Sequence, residues 1–535
     1  MPTDCISFKK TGYFSSLICD YLDENPELQP FYNRFPKLEN FKEQIEEKQS
    51  SVQVQSRTVL VETLKKQYQN IETSEATLKN IESLNSENTF TIATGHQLNL
   101  FTGPLYFLYK IVSAINLSNK LKYTYPEYNF VPVYWMATED HDFEEINYFN
   151  FKGKKVHWNK EASGAVGELS TDGLEAVFDL FSLELGMSKN AQYLKILFKE
   201  TYVKHQNLAN ATRFLANELF KEYGLVIIDA NDASLKKQFI PFMEDELLNQ
   251  TSFKNVSETN KQINELENQP YGIQVNPREI NLFYLIDNLR ERIVLEEGVY
   301  KVINTGISWS KAEIQKVLLE HPERFSPNVI MRPLYQEVVL PNLCYIGGGG
   351  ELAYWFQLKK YFNQVNVPFP VLLLRNSVLI QSEIQAEKLQ KLNILNEDIF
   401  LKRHAFINKK VREISNVDID FTEQKQQLKQ QFETLYKLAE QTDKSFLGAV
   451  KAQEVKQLKG LDALEKRLLK AQKRKLSDQV LRMTDLQNEL FPNQSLQERN
   501  TNFSEFYLEY GKQLIPELIE NLEPLKCEFV LLKIK

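Results

Sequence analysis

Between Thr91 and Asp142 a short β-prone run, a helix and a second β-prone run follow one another, and both runs break off into polar, chemically capable side chains. The first run is Thr91-Ile92-Ala93-Thr94-Gly95-His96-Gln97. The second is Val131-Pro132-Val133-Tyr134-Trp135-Met136-Ala137-Thr138-Glu139-Asp140-His141-Asp142. Between them Leu105, Leu108, Ile111, Val112, Ile115 and Leu117 recur at helical spacing. Strand, helix, strand is a βαβ unit, the connection that parallel strands require. Ligands of open α/β sheets bind at the carboxyl ends of such strands. The site is therefore expected at these two ends, where two of the six histidines fall.

A chain of 535 residues is long for one hydrophobic core, so two or three domains are expected. The net charge of -7 argues against a nucleic-acid protein held by bulk electrostatics. Cys5, Cys19, Cys344 and Cys527 are scattered without a CxxC pair, which suggests neither a zinc cluster nor a disulfide framework and fits a reducing compartment. The apolar runs 130–137 and 371–374 are far shorter than the roughly 20 residues that span a bilayer. The first ten residues lack the apolar core of a signal peptide. A cytoplasmic protein with neither nucleic-acid nor membrane partners is expected.

Residues 1–90 read as mostly helical. Gly224-Leu225-Val226-Ile227-Ile228-Asp229 is a further buried-strand candidate, followed by a helix over 233–248. Short strands are expected at 282–286 and 300–303. A third apolar stretch leads into Gly347-Gly348-Gly349-Gly350-Glu351, with a helix over 352–362, and another apolar run covers 369–374. This alternation predicts an α/β fold with a mainly parallel sheet over residues 1–379, interrupted by connecting insertions at roughly 151–222 and 255–325. Residues 380–490 are rich in Lys, Glu, Gln and Leu and contain no proline. There Phe421, Leu428, Leu435 and Leu438, and then Leu461, Leu464, Leu468 and Ala471, fit heptad seams. The turn-prone residues 442–445 between them predict an antiparallel helical hairpin. The final segment, 491–535, ends in a β-prone tail at 527–534 that is expected to return to the main sheet.

Each candidate for chemistry has a plainer counterpart. Glu139, Asp140, His141 and Asp142 can bind an amine, coordinate Mg²⁺ or shuttle protons; equally, their acids can cap a helix beginning near Phe143. Thr94, Gly95, His96 and Gln97 can surround a phosphate or form an ordinary turn. Gly347, Gly348, Gly349 and Gly350 ahead of Glu351 suit close backbone approach or positive φ, with an anion at the following helix N-terminus; the alternative is a flexible turn. Arg332 and Arg375 abut apolar runs and can clamp a carboxylate or phosphate, or be structural. No HExxH or Cys/His spacing supports zinc, and Cys344 sits in an apolar run where thiols are inert packing groups.

Taken together, these segments resemble the bacillithiol-biosynthesis cysteine-adding enzymes, the cysteine ligases. The matching pieces are Ala93–Gln97 with Phe101-Thr102-Gly103-Pro104-Leu105-Tyr106, Pro132 to Phe143, Asn328-Val329-Ile330-Met331-Arg332-Pro333-Leu334, the Gly347–Glu351 stretch with Ala353-Tyr354, and Arg375-Asn376-Ser377. The resemblance extends over essentially the whole chain. It implies a Rossmann-like core similar to the nucleotidylyltransferase and class I synthetase group, and a coiled coil that mediates homodimerisation. It also implies a reaction, the addition of L-cysteine to the amine of glucosaminyl-malate. A carboxylate does not acylate an amine at neutral pH, so ATP is expected to activate the cysteine, with ADP or AMP released and Mg²⁺ as a possible companion. On this resemblance Thr94, Gly95, His96, Gln97, Gly103, the four glycines, Glu351, Tyr354, Arg375 and Ser377 bind nucleotide or substrate. Arg332 stabilises charge in the transition state or holds the malate carboxylates, Asp140, His141 and Asp142 orient the attacking amine or take its proton, and Glu139 binds substrate or metal. Relatives commonly carry Gln at the position of His96, which favours His141 as the catalytic imidazole. The competing expectations are a nucleotidylyltransferase-like enzyme acting on another small acidic metabolite, and a non-catalytic coiled-coil scaffold.

Overall fold

The structure is a computed structural model and describes residues 3–266 and 271–534. Its centre is a five-stranded sheet of β1 (Thr89–His96), β2 (Asn129–Met136), β3 (Val226–Asp229), β4 (Asn342–Gly347) and β5 (Val371–Leu374). The order is β5-β4-β1-β2-β3, and every neighbouring pair is parallel. These strands are near-continuous apolar runs because helices cover both faces, and β1 is buried at every position. The crossover from β1 to β2 is α1 (Tyr106–Thr124). Ala114 and Leu117 of α1 pack with Phe90, Ile92, Leu343, Ile346, Val371 and Leu373 in one core cluster, joined by Phe41 and Ile45 of an N-terminal helix.

From β1 the chain steps outward to β2 and β3; it then returns to the other side of β1 for β4 and β5. The strand order thus reverses between β1 and β4, and a crevice opens above their carboxyl ends. Helix α2 (Ala233–Asn249) follows β3, and α3 (Arg332–Val339) and α4 (Gly349–Phe356) border the crevice. An antiparallel sheet forms from residues 282–327, with Leu289–Glu296 as its central strand. That strand opens with three consecutive charges, Arg290-Glu291-Arg292, and holds only the short apolar run Ile293-Val294-Leu295, so it went unrecognised in the sequence beside Leu282–Ile286.

Three expectations need correction. The tail Glu528–Ile534 pairs antiparallel with Thr3–Ser7 and joins Ser377–Ser382 in a separate three-stranded sheet, and does not enter the main one. Its partner lies at the other end of the chain, inside a region that reads as helical, so no local signal identifies it. The helix expected over 352–362 is two helices, Gly349–Phe356 and Lys359–Gln364. The first ends in tight turns, with Gln357 N–H on Tyr354 O and Leu358 N–H on Trp355 O. The Gln357 side chain is drawn off to the backbone of Gln274 and Val275.

The chain divides into two compact units, one running to Ile380 and resuming at Leu496, the other spanning Gln381–Ser495. The second unit contains α5 (Thr422–Ala439) and α6 (Lys444–Lys475). Asp443 caps α6 through the N–H groups of Ser445 and Phe446, and the short connection makes the pair antiparallel. The seam is the third correction. Phe432, Ala439 and Val450 are buried with Leu428 and Tyr436 against them, whereas Leu435, Leu438 and Leu464 of the expected heptads are exposed. Two apolar stripes run along α5, and periodicity alone does not say which one faces α6. No helix among the described residues is long and apolar enough to cross a membrane.

Candidate functional site

A cleft of about 1150 Å³ lies over the carboxyl ends of the strands, within the first unit. The end of β1 contributes Gly95, His96 and Gln97, and the loop after β2 contributes Glu139, Asp140 and His141. Gly348, Gly349, Gly350, Glu351 and Tyr354 come from the start of α4, with Arg332 and Arg375 beside them. The antiparallel sheet supplies Phe283, Arg290 and Arg292. Arg290 and Arg292 share one face because successive side chains of a strand alternate.

At the strand-order reversal, the first turn of α4 is closed by its own carboxylate. Glu351 Oε2 accepts the Gly348 N–H at 2.8 Å and lies 2.6 Å from Lys110 Nζ, while Oε1 accepts the Tyr345 hydroxyl at 2.7 Å. Lys110 also donates to Gly95 O at 2.6 Å. Burial alone would push the Glu351 carboxyl up, but Lys110 and these hydrogen bonds outweigh it and hold it below its ordinary value. Burial lowers the Lys110 ammonium in spite of Glu351. None of the four glycines has positive φ. Close approach is their role: a Cβ on Gly347 would meet Leu352 Cδ1 at 2.9 Å and Glu351 Cβ at 3.0 Å.

Three arginines of the cleft keep an unpartnered buried N–H group: Arg292 at Nε on the antiparallel sheet, and Arg332 and Arg375 at the strand-order reversal. Arg332 donates from Nη1 to Gln336 Oε1 at 3.2 Å, and its Nη2 has no partner. Arg375 is held by Glu498 (2.8 Å), Asn376 O (2.9 Å) and Ser377 Oγ (3.1 Å), which leaves only Nε unpartnered. A Cβ on Gly95 would lie 3.7 Å from Arg332 Nη1, and one on Gly348 would lie 3.8 Å from Arg375 Nε. Glycine at both places leaves the guanidinium groups open to a ligand. Buried donors left unmade are costly, so an acceptor arriving from the cleft is strongly favoured.

In the loop after β2 the acids are largely committed. Glu139 pairs with the buried Lys236 at 2.7 Å, and Lys236 also donates to Phe325 O. Asp140 accepts the His141 N–H at 2.7 Å and Gln97 Nε2 at 3.0 Å. Asp142 caps the short helix Phe143–Ile146 through the Glu145 N–H. His141 Nδ1 lies 2.7 Å from Arg290 Nη1. The His96 ring is buried against Tyr106 and Phe107, and its Nε2 has no partner. Burial, with Lys110 and Arg375 nearby, holds that imidazole well below its ordinary value. Among the described residues no three His, Cys, Asp or Glu side chains group closely enough to hold a metal ion. With Glu139 tied to Lys236, a protein-held metal does not fit this loop.

Residues 1–376 match the family model described as bacillithiol biosynthesis BshC, N-terminal Rossmann-like domain, and residues 378–534 match its C-terminal coiled-coil domain. The chain belongs to the bacillithiol biosynthesis BshC family. A relative from Flavobacterium johnsoniae is 64% identical over 534 residues and covers 100% of both chains. One from Cytophaga hutchinsonii is 39% identical over 98% of this chain and 97% of its own. One from Bacillus mycoides is 28% identical over 94% and 95% respectively. All three carry the provisional name cysteine ligase BshC.

Five of the residues expected at a BshC site from the sequence do not line the cleft. Thr94 lies inside the sheet with its hydroxyl on Ile346 O. Gly103, at φ +63°, turns the backbone against Asn99, and its carbonyl accepts from Asn502. Gly347 packs beneath α4, Ser377 is buried on Arg375 and Glu498, and Asp142 serves its cap. Lys110, Arg290, Arg292 and Tyr345 line the cleft but were missed. Lys110 did leave a trace: it is a lone cation among Phe107, Leu108, Tyr109, Ile111 and Val112 on a buried helix.

Proposed function

We propose that this BshC-family chain is a ligase that joins the carboxyl group of L-cysteine to the amine of glucosaminyl-malate, yielding bacillithiol, with ATP activating the carboxyl group. The observation that carries the proposal is that Arg332 and Arg375, each with an unpartnered guanidinium nitrogen, line the cleft beside Gly95 and Gly348 at the strand-order reversal. The names of the relatives agree with it.

In this reading the cysteine carboxylate attacks a phosphorus of ATP, a P–O bond breaks, and ADP or pyrophosphate departs to leave an acyl–phosphoryl anhydride. The amine then attacks the acyl carbon and loses a proton, and the C–O bond to the phosphoryl group breaks to release phosphate or AMP. Gly95–Gln97 and Gly348–Gly350 flank the phosphates, and Arg332 stabilises the charge that develops. Arg278 and Arg292, which line the same cleft, face the malate carboxylates. Mg²⁺ enters only as the companion of the nucleotide phosphates. The exposed Leu435, Leu438 and Leu464 support a homodimer through the coiled coil. Four free cysteines suit a reducing cytoplasm.

Purified protein given cysteine, glucosaminyl-malate and Mg-ATP should form bacillithiol, followed by mass spectrometry, together with one nucleotide product. Absence of product from verified substrates would sink the proposal. Transfer of a nucleotide to an acidic metabolite without amide formation would point to the nucleotidylyltransferase alternative.

A further inference from the structure

The contact between Arg290 and His141 fixes which nitrogen of the imidazole carries a proton. Arg290 Nη1 and His141 Nδ1 are 2.7 Å apart. A guanidinium has only donors, so at this distance Nδ1 must be the bare, accepting nitrogen. Arg290 has little freedom to turn away. Its Nε donates to Ser326 Oγ at 3.1 Å and its Nη2 to Pro327 O at 3.4 Å. Its guanidinium also lies 4.0 Å from the centroid of the Phe283 ring, which packs against His141 as well. Asp140 does not compete for Nδ1. Its Oδ1 is 3.7 Å away, beyond hydrogen-bond length, and accepts the backbone N–H groups of His141 and Asp142.

We propose that Arg290 is a positioning residue that holds His141 as the neutral tautomer protonated at Nε2, so that His141 donates a hydrogen bond to an oxygen of the bound substrate and does not act as the base. A proton placed on Nδ1 would set N–H against N–H, and in the doubly protonated imidazolium it would also bring a second positive charge onto Arg290. The ligand chemistry that suits Nε2–H beside a guanidinium is an oxygen that carries or gains negative charge: a carboxylate, a phosphoryl oxygen, or an acyl oxygen becoming tetrahedral. The identity of that oxygen rests on the ligase reading; the tautomer does not.

The tautomer is read on the full chain labelled with ¹⁵N-histidine, by long-range ¹H–¹⁵N correlation without substrate. The His141 signal is assigned by its loss in His141→Gln. The wild type should show a protonated Nε2 and a bare Nδ1. Arg290→Met should release the ring to a mixture of tautomers, and Arg290→Lys, which still donates, should restore the wild-type pattern. In the amide-forming assay His141→Gln, which keeps a donor, should stay within about tenfold of wild type. His141→Ala should fall by about 10²–10³, the usual effect of losing one such donor. A proton on Nδ1 in the wild type, or His141→Gln as inactive as His141→Ala, would overturn the proposal. If no amide forms from verified substrates while the tautomer pattern holds, the ligase reading falls and the positioning role of Arg290 stands.

Discussion

Lys110 and Glu351 meet at 2.6 Å under the cleft floor, and through Gly95 O and the Gly348 N–H they join the end of β1 to the start of α4. Removing one partner leaves the other charge poorly compensated in a largely buried place, which costs about 3–5 kcal/mol. Glu351→Gln and Lys110→Met should each lower the urea midpoint by that order. The double variant should cost clearly less than the two together, because the residues are in direct contact. The pH dependence has a defined sign. The Glu351 carboxyl is held below its ordinary value of 4.5, so its stabilising contribution is complete above that pH and disappears as pH falls through the depressed value. Acid unfolding followed by circular dichroism should therefore be shallower in Glu351→Gln than in the wild type.

Arg332 and Arg375 both read as clamps in the sequence, but they should respond differently to substitution. Arg375 forms a buried ion pair with Glu498 and bonds to Asn376 and Ser377. Arg375→Met should cost about 3–5 kcal/mol in thermal or urea unfolding, whatever it does to the chemistry. Arg332 is held by neutral partners alone, Gln336 and the Tyr354 hydroxyl, and its Nη2 is unpartnered. Arg332→Lys keeps the charge and loses the planar fork, so kcat/KM should fall by about 10²-fold with the melting temperature nearly unchanged. Equal loss of stability in both variants would make Arg332 a structural residue.

The main sheet was legible because parallel strands buried on both faces are written as continuous apolar runs, and their polar ends meet at one cleft. Gly95, Glu139, His141, Arg332 and Gly348 do come together in one cleft. Two kinds of residue were not legible. Arg290 and Arg292 sit in a run of three consecutive charges that looks like surface, and only the fold of the antiparallel sheet turns them inward. Thr94 and Asp142 carry the right chemistry at the right ends, yet one points into the sheet and the other caps a helix. Side-chain direction at a strand end depends on where that strand stops, and local sequence fixes this poorly.

Four consecutive glycines look equivalent in the sequence and are not. A Cβ at Gly347 would lie 2.9–3.0 Å from Leu352, Glu351 and Tyr345, whereas at Gly350 the nearest atom is Gln274 Nε2 at 4.0 Å. Gly347→Ala should therefore destabilise by about 1–3 kcal/mol, the usual cost of forcing extra volume into a packed site. Gly350→Ala lies in α4 with open space and ordinary φ, so it should be neutral or stabilise by about 0.5–1 kcal/mol. Differential scanning fluorimetry of the two single variants separates these outcomes. A large loss at Gly350 would give that glycine a packing role equal to that of Gly347.

The coiled-coil unit separates folding from association. Phe432 is buried between α5 and α6, so Phe432→Ala should destabilise that unit by about 3 kcal/mol, read as loss of helical circular dichroism at a lower temperature. Leu435, Leu438 and Leu464 are 39%, 52% and 52% exposed and lie outside the buried cluster of Phe432, Ala439 and Val450. Replacing all three by Lys should leave the melting temperature within a few degrees of wild type. If this second stripe is the dimer surface, the same variant should elute as a monomer in size-exclusion chromatography with light scattering, while the wild type elutes at twice the chain mass. A wild-type monomer, or a triple-Lys variant that still dimerises, would remove these leucines from the interface.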